Sequence, residues 1–561
     1  MPGVYVGVGC SFVKANKVFV GVGCSFVEAT KVYTAENCNW KVIHEAGGKG
    51  LIALVGPGGT TGINPDVNWS SYRSIVALSD DTVAFAVNEN DARSTTLIKI
   101  DSKGNSVWQR QSDRFQTSIT WENKVTLALI KDSNDNIYQL GRAAQPSSFK
   151  GVEWIQKFNS AGTYQWDRTT ALRGLLTGFT SGNPGTNEVY HAVFNGPDGD
   201  EESSMQVEAQ SDRSNGSGDQ EFLTGVSTFD TSDGSLDSFR INGSSGGTGN
   251  NNGNNYGREI CRLGDKIYSA SQAFGHKCAS VNGPCFHVAN IYRRSLDGQT
   301  VDGGTVGGGR VDVNSTSYPL ASTGCVYTND DETYNYPILG TYYKNVNRGF
   351  TPGKNLFFFY TSDLDLTDIL KYELTGPATA VTANDITHIP GSGVIWDSSN
   401  NHIYFLQAHI DLDELSIIEF DVATGTIQNQ NRFRITNAND RIYTDTHNCA
   451  TLAMTSDKFY IQSQTNRFDN TGVNNAYQVI VLQVPRDLTK GFGDYGDNLV
   501  YEPRPANDLY TLSSSTENLG YSGPGGSYYW PIPGTRTHGT QDENTTPTAD
   551  NIPIGVTKQK N

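Results

Sequence analysis

The chain has 561 residues, with 42 Lys and Arg against 59 Asp and Glu, a net charge of −17 and a pI near 5.0. No basic cluster interrupts that balance, which excludes a nucleic-acid surface, because phosphate contacts need grouped Lys and Arg. No apolar run reaches the roughly 18–20 residues that cross a bilayer, so no membrane insertion is expected.

Eight cysteines are too few for a disulfide framework in a chain of this length. The N-terminus has neither a basic n-region nor a continuous apolar h-region, so synthesis in a reducing cytosol without general secretion is expected. Hydrophobic residues make up 36% and charged residues only 18%, with 60 Gly and abundant Asn, Ser and Thr filling the gap. That is the profile of many short strands joined by many turns. At about 150 residues per domain the chain is too long for one ordinary core, although a closed repeat architecture can use most of it as one body.

In chain order, residues 1–45 repeat one 14-residue unit three times: VYVGVGCSFVKANK (4–17), VFVGVGCSFVEATK (18–31) and VYTAENCNWKVIHE (32–45). An aromatic holds the second place (Tyr5, Phe19, Tyr33), Cys the seventh (Cys10, Cys24, Cys38) and an aromatic the ninth (Phe12, Phe26, Trp40). Fourteen residues suit two short strands and a tight turn. One hairpin is marginal in water and must stack on its copies or on another chain. These nine residues are therefore the expected assembly and anchoring set. A metal site at the three cysteines is the sharper alternative to small buried thiols.

Residues 46–70 are Gly-rich and read as a linker or a first strand of the next domain. From 71 to 502 two cues alternate. A polar turn leads into an apolar strand at Asp81, Asn136, Asn187, Asp265, Asn355, Asn401 and Asp457. An apolar residue then leads into an Asx turn, usually with Gly, at Ile100, Phe158, Phe229, Tyr292, Tyr372, Phe420 and Val484. Ile100, Asp101, Gly104 and Trp108 recur as Phe158, Asn159, Gly162 and Trp166, each 58 residues on.

Seven such units predict an all-β fold, a β-propeller of about seven four-stranded blades. Six or eight blades stay open, since 314–350 is long enough to supply another. Helical periodicity is confined to one possible short turn over Ser362–Leu374. Residues 503–561, rich in Pro, Gly, Ser, Thr and Asn, are expected to form an extended polar C-terminal arm.

No phosphate loop, G-x-S-x-G elbow, H-E-x-x-H or EF-hand loop is present. His276, Cys278, Cys285 and His287 are spaced for a hairpin in which Cys278 faces Cys285. A turn at Asn282-Gly283 instead sets Cys278 opposite His287. Zinc, a disulfide and packed free thiols all remain open there. Asp363 and Asp365, and Asp411, Asp413 and Glu414, read as solvated turns or a surface Ca²⁺ site. His402 and His409, seven apart, fall on opposite faces of a strand. With no nucleophile and base distinguishable, the expectation is a chain without catalytic residues, cofactor or metal.

The tandem units ending in ANKVFVGVGCSFVEATKVYTAENCNWKVI resemble short Val/aromatic repeats at the start of tail-associated proteins of tailed bacteriophages. The stretch Val479-IVLQVPRDLTKGFGDYGDNLVY with its polar sequel is similar to the end of propeller-like phage virion proteins. The resemblance implies a virion structural protein of the tail or baseplate, assembled in the host cytoplasm and anchored by its N-terminus. It implies other virion proteins as partners and a homo-oligomer, trimer or hexamer. The propeller is expected to make assembly contacts or to recognise a host surface, where its negative charge and polar loops suit a host-surface glycan. The alternatives are a phage-borne polysaccharide-degrading enzyme on a propeller, or a head-decoration protein.

Overall fold

The computed structural model describes residues 5–8, 11–14, 19–22, 25–28, 31–36, 39–45, 50–57, 74–88, 95–112, 123–144, 151–170, 184–196, 202–214, 220–242, 254–263, 266–274, 285–296, 301–311, 320–325, 338–342, 354–359, 369–375, 387–388, 394–397, 399–409, 414–421, 423–435, 442–443, 450–465, 478–492, 495, 499–506, 508–509, 511–517 and 554–557. Among them every regular element is a strand.

Three hairpins come first: β1 (Tyr5–Val8) with β2 (Ser11–Lys14), β3 (Phe19–Val22) with β4 (Ser25–Glu28), and β5 (Lys31–Glu36) with β6 (Asn39–Glu45). Among the described residues each is a two-stranded sheet that pairs only with itself. The next strand, β7 (Leu51–Pro57), joins a sheet built from the far end of the chain.

Four antiparallel sheets of four strands follow, each a meander. The first holds β8 (Ile75–Ala77), β9 (Val83–Asn88), β10 (Thr95–Ile100) and β11 (Ser106–Ser112). The second holds β12 (Asn123–Lys131), β13 (Ile137–Ala144), β14 (Gly151–Phe158) and β15 (Tyr164–Thr170). The third has β16 (Pro184–Phe194), β17 (Ser204–Ser214), β18 (Gln220–Asp230) and β19 (Leu236–Asn242). The fourth has β20 (Asn254–Leu263), β21 (Lys266–Phe274), β22 (Cys285–Ser295) and β23 (Val301–Val311).

Three larger sheets complete the body. β24 (Leu320–Cys325), β25 (Ile338–Tyr342), β26 (Lys354–Phe359) and β27 (Ile369–Thr375) form the fifth. β28 (Thr387–His388) and β29 (Val394–Asp397) share the edge of β30 (His402–His409), which continues into β31 (Glu414–Asp421) and β32 (Thr426–Ile435). The last sheet starts likewise, with β33 (Ile442–Tyr443) and β34 (Thr451–Met454) on β35 (Lys458–Thr465), then β36 (Gln478–Pro485) and, as fourth strand, β7. The remaining chain adds outer strands: β37 (Leu499–Pro505) on β32, β38 (Thr511–Glu517) on β27 and β39 (Ile554–Thr557) on β7.

Turn chemistry explains why the strands break where they do. Asp101, Asn159, Asp230 and Asp421 each end a third strand and accept backbone N–H groups two to four residues on with the side chain. Gly104, Gly162, Gly234 and Gly425 then take the left-handed conformation (φ 79°, 76°, 76° and 66°) and donate back to those residues' carbonyls. Only Gly adopts that conformation without a Cβ penalty, which is why it recurs. The turns between first and second strands place Asp81, Asp135 and Asn401 at φ near 60°, a conformation Asp and Asn tolerate better than most residues.

The cores lie between consecutive sheets. Trp108, Leu97 and Ala86 pack on Leu129, Ile137 and Phe158. Trp166, Tyr138 and Ile155 pack on Met205, Val207 and Phe229. Tyr404, Leu415 and Phe433 pack on Phe459, Ile461 and Leu482. Phe85, Ile98 and Ile75 of the first sheet share a cluster with Tyr460, Val479, Val481 and Ile52 of the last. Covered on both faces, β9 and β10 are buried throughout, while β11 is exposed at its start. The middle strands therefore read as continuous apolar runs instead of alternating ones.

Two local expectations need correction. Asn187 and Asn355, read as turn residues ahead of a strand, lie inside β16 and β26. Ile369–Leu374, read as part of a helical turn, is strand, paired to β26 and β38. Of the segment 314–350, the described residues form β24 and β25 of the fifth sheet.

Candidate functional site

The anticipated anchoring residues sit in the three hairpins at equivalent register: Gly7 opposite Phe12, Gly21 opposite Phe26 and Ala35 opposite Trp40. Tyr5, Phe19 and Tyr33 stand on β1, β3 and β5. Cys10, Cys24 and Cys38 lie outside the described residues, as do His276, Cys278, Asp363, Asp365, Asp411 and Asp413. Cys285 and His287 are on β22, where Ala273 of β21 stands opposite Val288. The connection between these strands, residues 275–284, lies outside the described residues. Glu414 is not on a solvated turn. It lies in β31, between β30 and β32, buried with Arg432 at 3.5 Å, and burial raises its carboxyl.

The side chains that recur do so as a clasp between neighbouring sheets. Trp108 Nε1 donates to the Ser160 carbonyl (3.2 Å), and Trp166 Nε1 to the Thr231 carbonyl (3.2 Å). Lys99 and Lys157 donate to the same two carbonyls, at 3.2 and 2.9 Å. Arg110 reaches the Gly162 carbonyl at 2.6 Å and Arg168 the Asp233 carbonyl. Each Trp ring lies on the turn glycine of the next sheet. A Cβ on Gly162 would come within 2.7 Å of the Trp108 ring, and one on Gly234 within 2.6 Å of the Trp166 ring. Gln483 takes the lysine's part at the junction of the last and first sheets, donating to the Ser102 carbonyl at 3.2 Å.

The sixth sheet departs from this pattern. The position before the apolar residue that enters the turn, Lys in the first two sheets and Thr228 in the third, is Glu419, whose side chain accepts instead of donating. Its Oε1 accepts from Tyr404 (2.9 Å) and meets His402 Nδ1 at 2.7 Å, while Oε2 accepts from Asn429. Burial, with the Glu419 charge, raises the Tyr404 hydroxyl above its ordinary range. Asn400 links Tyr404 to Asp397, whose carboxylate is ion-paired with Arg486. Arg486 also donates to Ser399 Oγ (3.0 Å) and the Ser456 carbonyl (3.2 Å), joining the sixth sheet to the last. The sequence reading missed this cluster. The one available signal was an acidic residue at a place where Lys stands twice.

A second departure is Glu153 on β14, fully buried, with Oε2 accepting from Ser227 at 3.2 Å and Oε1 unpaired. Burial pushes its carboxyl up to about 8, against a partial lowering by Ser227. The folded state therefore holds a proton that the unfolded chain releases near pH 4.5. The contribution of this carboxyl to stability is greatest below that value and is lost as pH rises towards about 8, by up to ~5 kcal/mol in total. Urea unfolding across pH 4–9 should show this slope in the wild type and lose it in Glu153→Gln.

No protein-family model and no curated protein sequence matches the chain. Among solved structures it is similar to the GH93 α-L-arabinofuranosidase of Fusarium graminearum with arabinobiose. The TM-score is 0.36 at 10% identity, covering 66% of this chain and 92% of that one. A second structure of that organism's arabinofuranosidase, with an iminosugar inhibitor, gives 0.34 at 11% identity over 66% and 93%. The β-propeller domain of the Trilobed protease from Pyrococcus furiosus, described as having an open velcro topology, gives 0.33 at 10% identity over 76% and 100%. The fold is propeller-like and all-β, with sheets of four antiparallel strands. The first two of these structures are enzymes, which runs against the expectation of a chain that is not an enzyme; at 10–11% identity they assign this chain no activity.

Proposed function

We propose that the chain is a seven-bladed β-propeller carried on a tailed-phage virion, rooted by residues 1–45 and presenting its ring to a polar host-surface glycan. The observation that carries the attachment reading is the isolation of the three hairpins, each paired only with itself, directly before β7 enters the last sheet as its fourth strand. Marginal alone, the hairpins call for cover from further copies of the chain, a trimer or hexamer, or from a neighbouring virion protein.

Closure of the seven blades is supported by the junction between last and first. Gly104 there approaches the Ile52 backbone of β7 as Gly162 approaches Trp108 and Gly234 approaches Trp166. β8 also contacts β34 and β35. A net charge of −17 favours recognition of neutral glycans through hydrogen bonds and aromatic stacking over attraction of polyanions.

Deletion of residues 1–45 should leave the purified chain folded but absent from assembled particles, as judged by mass spectrometry and cryo-electron microscopy of virions. Incorporation at the normal level would overturn the anchoring reading. The His402–Glu419 pair favours a second reading, in which the ring also alters the glycan it meets.

A further inference from the structure

We propose that His402 and Glu419 form the general-base half of a hydrolytic site that removes ester-linked acyl groups from a neutral glycan, an activity that rests on the glycan reading of the ring. Three observations converge on this pair. The first is that it stands where the repeated architecture is broken. Lys99, Lys157 and Gln483 use the equivalent position to fasten one sheet to the next. Glu419 gives up that bond. A residue that abandons a structural role which Lys99, Lys157 and Gln483 keep is where function is expected to displace stability.

The second observation is orientation. Glu419 is held by Tyr404 at 2.9 Å and by Asn429, so its carboxylate is fixed before it meets the imidazole. In the tautomer that donates Nδ1–H to that carboxylate, 2.7 Å away, the imidazole lone pair falls on Nε2, where no described residue forms a hydrogen bond. The third is access. The His402 side chain keeps a 20% exposure while Glu419 behind it keeps 10%, so the base reaches solvent and its orienting group is shielded.

The same geometry selects the reaction. Glycosidic cleavage requires two carboxyl groups acting on the bond, and both oxygens of Glu419 are already committed to orienting other groups. Proton abstraction beside a uronate carboxylate requires a cation to stabilise the developing charge, and Arg486, the cation of this network, is paired with Asp397. Hydrolysis of an ester by water requires one oriented base. Nε2 takes a proton from water as the water oxygen bonds to the acyl carbon. The tetrahedral adduct then breaks its bond to the sugar oxygen, which takes the proton back from the imidazolium. A free carboxylic acid and a restored hydroxyl result, and His402 ends as it began. Glu419 is a positioning residue throughout.

The test uses the purified full chain with p-nitrophenyl acetate and with an O-acetylated neutral polysaccharide, measuring acetate release and, separately, polysaccharide binding. Wild type is expected to release acetate from both. His402→Ala should lower the rate by about 10²–10⁴-fold, with partial recovery on adding free imidazole, which a merely structural role would not give. Glu419→Gln should lower it by about tenfold or more with an unchanged melting curve, which separates loss of orientation from loss of fold. Equal rates in wild type and His402→Ala would overturn the site. So would unsaturated uronide products. Binding of the polysaccharide with no acetate release would sink the ester chemistry while leaving glycan recognition standing. Ester hydrolysis dependent on His402 without any glycan binding would uphold the dyad and overturn the glycan reading instead.

Discussion

Removal of residues 1–57 is expected to abolish cooperative unfolding of the chain, whereas removal of residues 1–45 leaves it intact. The twelve residues that separate the two deletions contain β7. That strand is paired to β36 from Val479↔Val55 to Leu482↔Leu51, and on its other side to β39. It also carries Ile52, buried in the cluster that joins the last sheet to the first. Without it β36 becomes an edge, β39 loses its partner and Val479 and Val481 lose a neighbour in their cluster. Burial of one Ile and several ladder hydrogen bonds together amount to about 5 kcal/mol. That equals the whole margin of a weakly stable domain. Urea unfolding followed by far-ultraviolet circular dichroism and tryptophan fluorescence reads the outcome. Coincident sharp transitions in the longer deletion would show that β7 is dispensable.

Trp166→Ala is expected to destabilise the chain by about 3–5 kcal/mol. The indole is 6% exposed, lies edge-on to Tyr138 at 6.0 Å and donates to the Thr231 carbonyl of the next sheet. Truncation opens a cavity against Met205 and Phe229 and leaves Gly234 facing empty space. It also strips Arg168 of the ring beside it. A shift of the urea midpoint without a change in m would report loss of stability alone. A change below 1 kcal/mol would mean that Trp166 does not clasp the two sheets.

The repeat was legible at its turns. Asp101–Gly104 and Asn159–Gly162 are set by chemistry within four residues: an acceptor side chain at the strand end and a glycine able to take positive φ. Trp108 and Trp166 were visible as recurring neighbours of those turns, but their target was not. The surface each covers belongs to the next unit, which the 58-residue spacing implies without locating. Asn187 misled because an Asn ahead of an apolar run reads as a turn even where it stands inside the strand. Glu414 misled because a carboxylate in a polar run reads as solvated until β30 and β32 close over it.

By itself the sequence determined what short-range physics controls: an all-β chain, strands broken at Asx-Gly turns, a repeated unit and three copies of a 14-residue hairpin. Tertiary structure alone decided which strands share a sheet. β7 joins β36 across more than four hundred residues, and β37, β38 and β39 return to sheets begun far earlier in the chain. It alone set His402 on Glu419 and buried Glu153 beside Ser227. The reason is that pairing and burial depend on which surfaces meet, and no window of neighbouring residues contains that information.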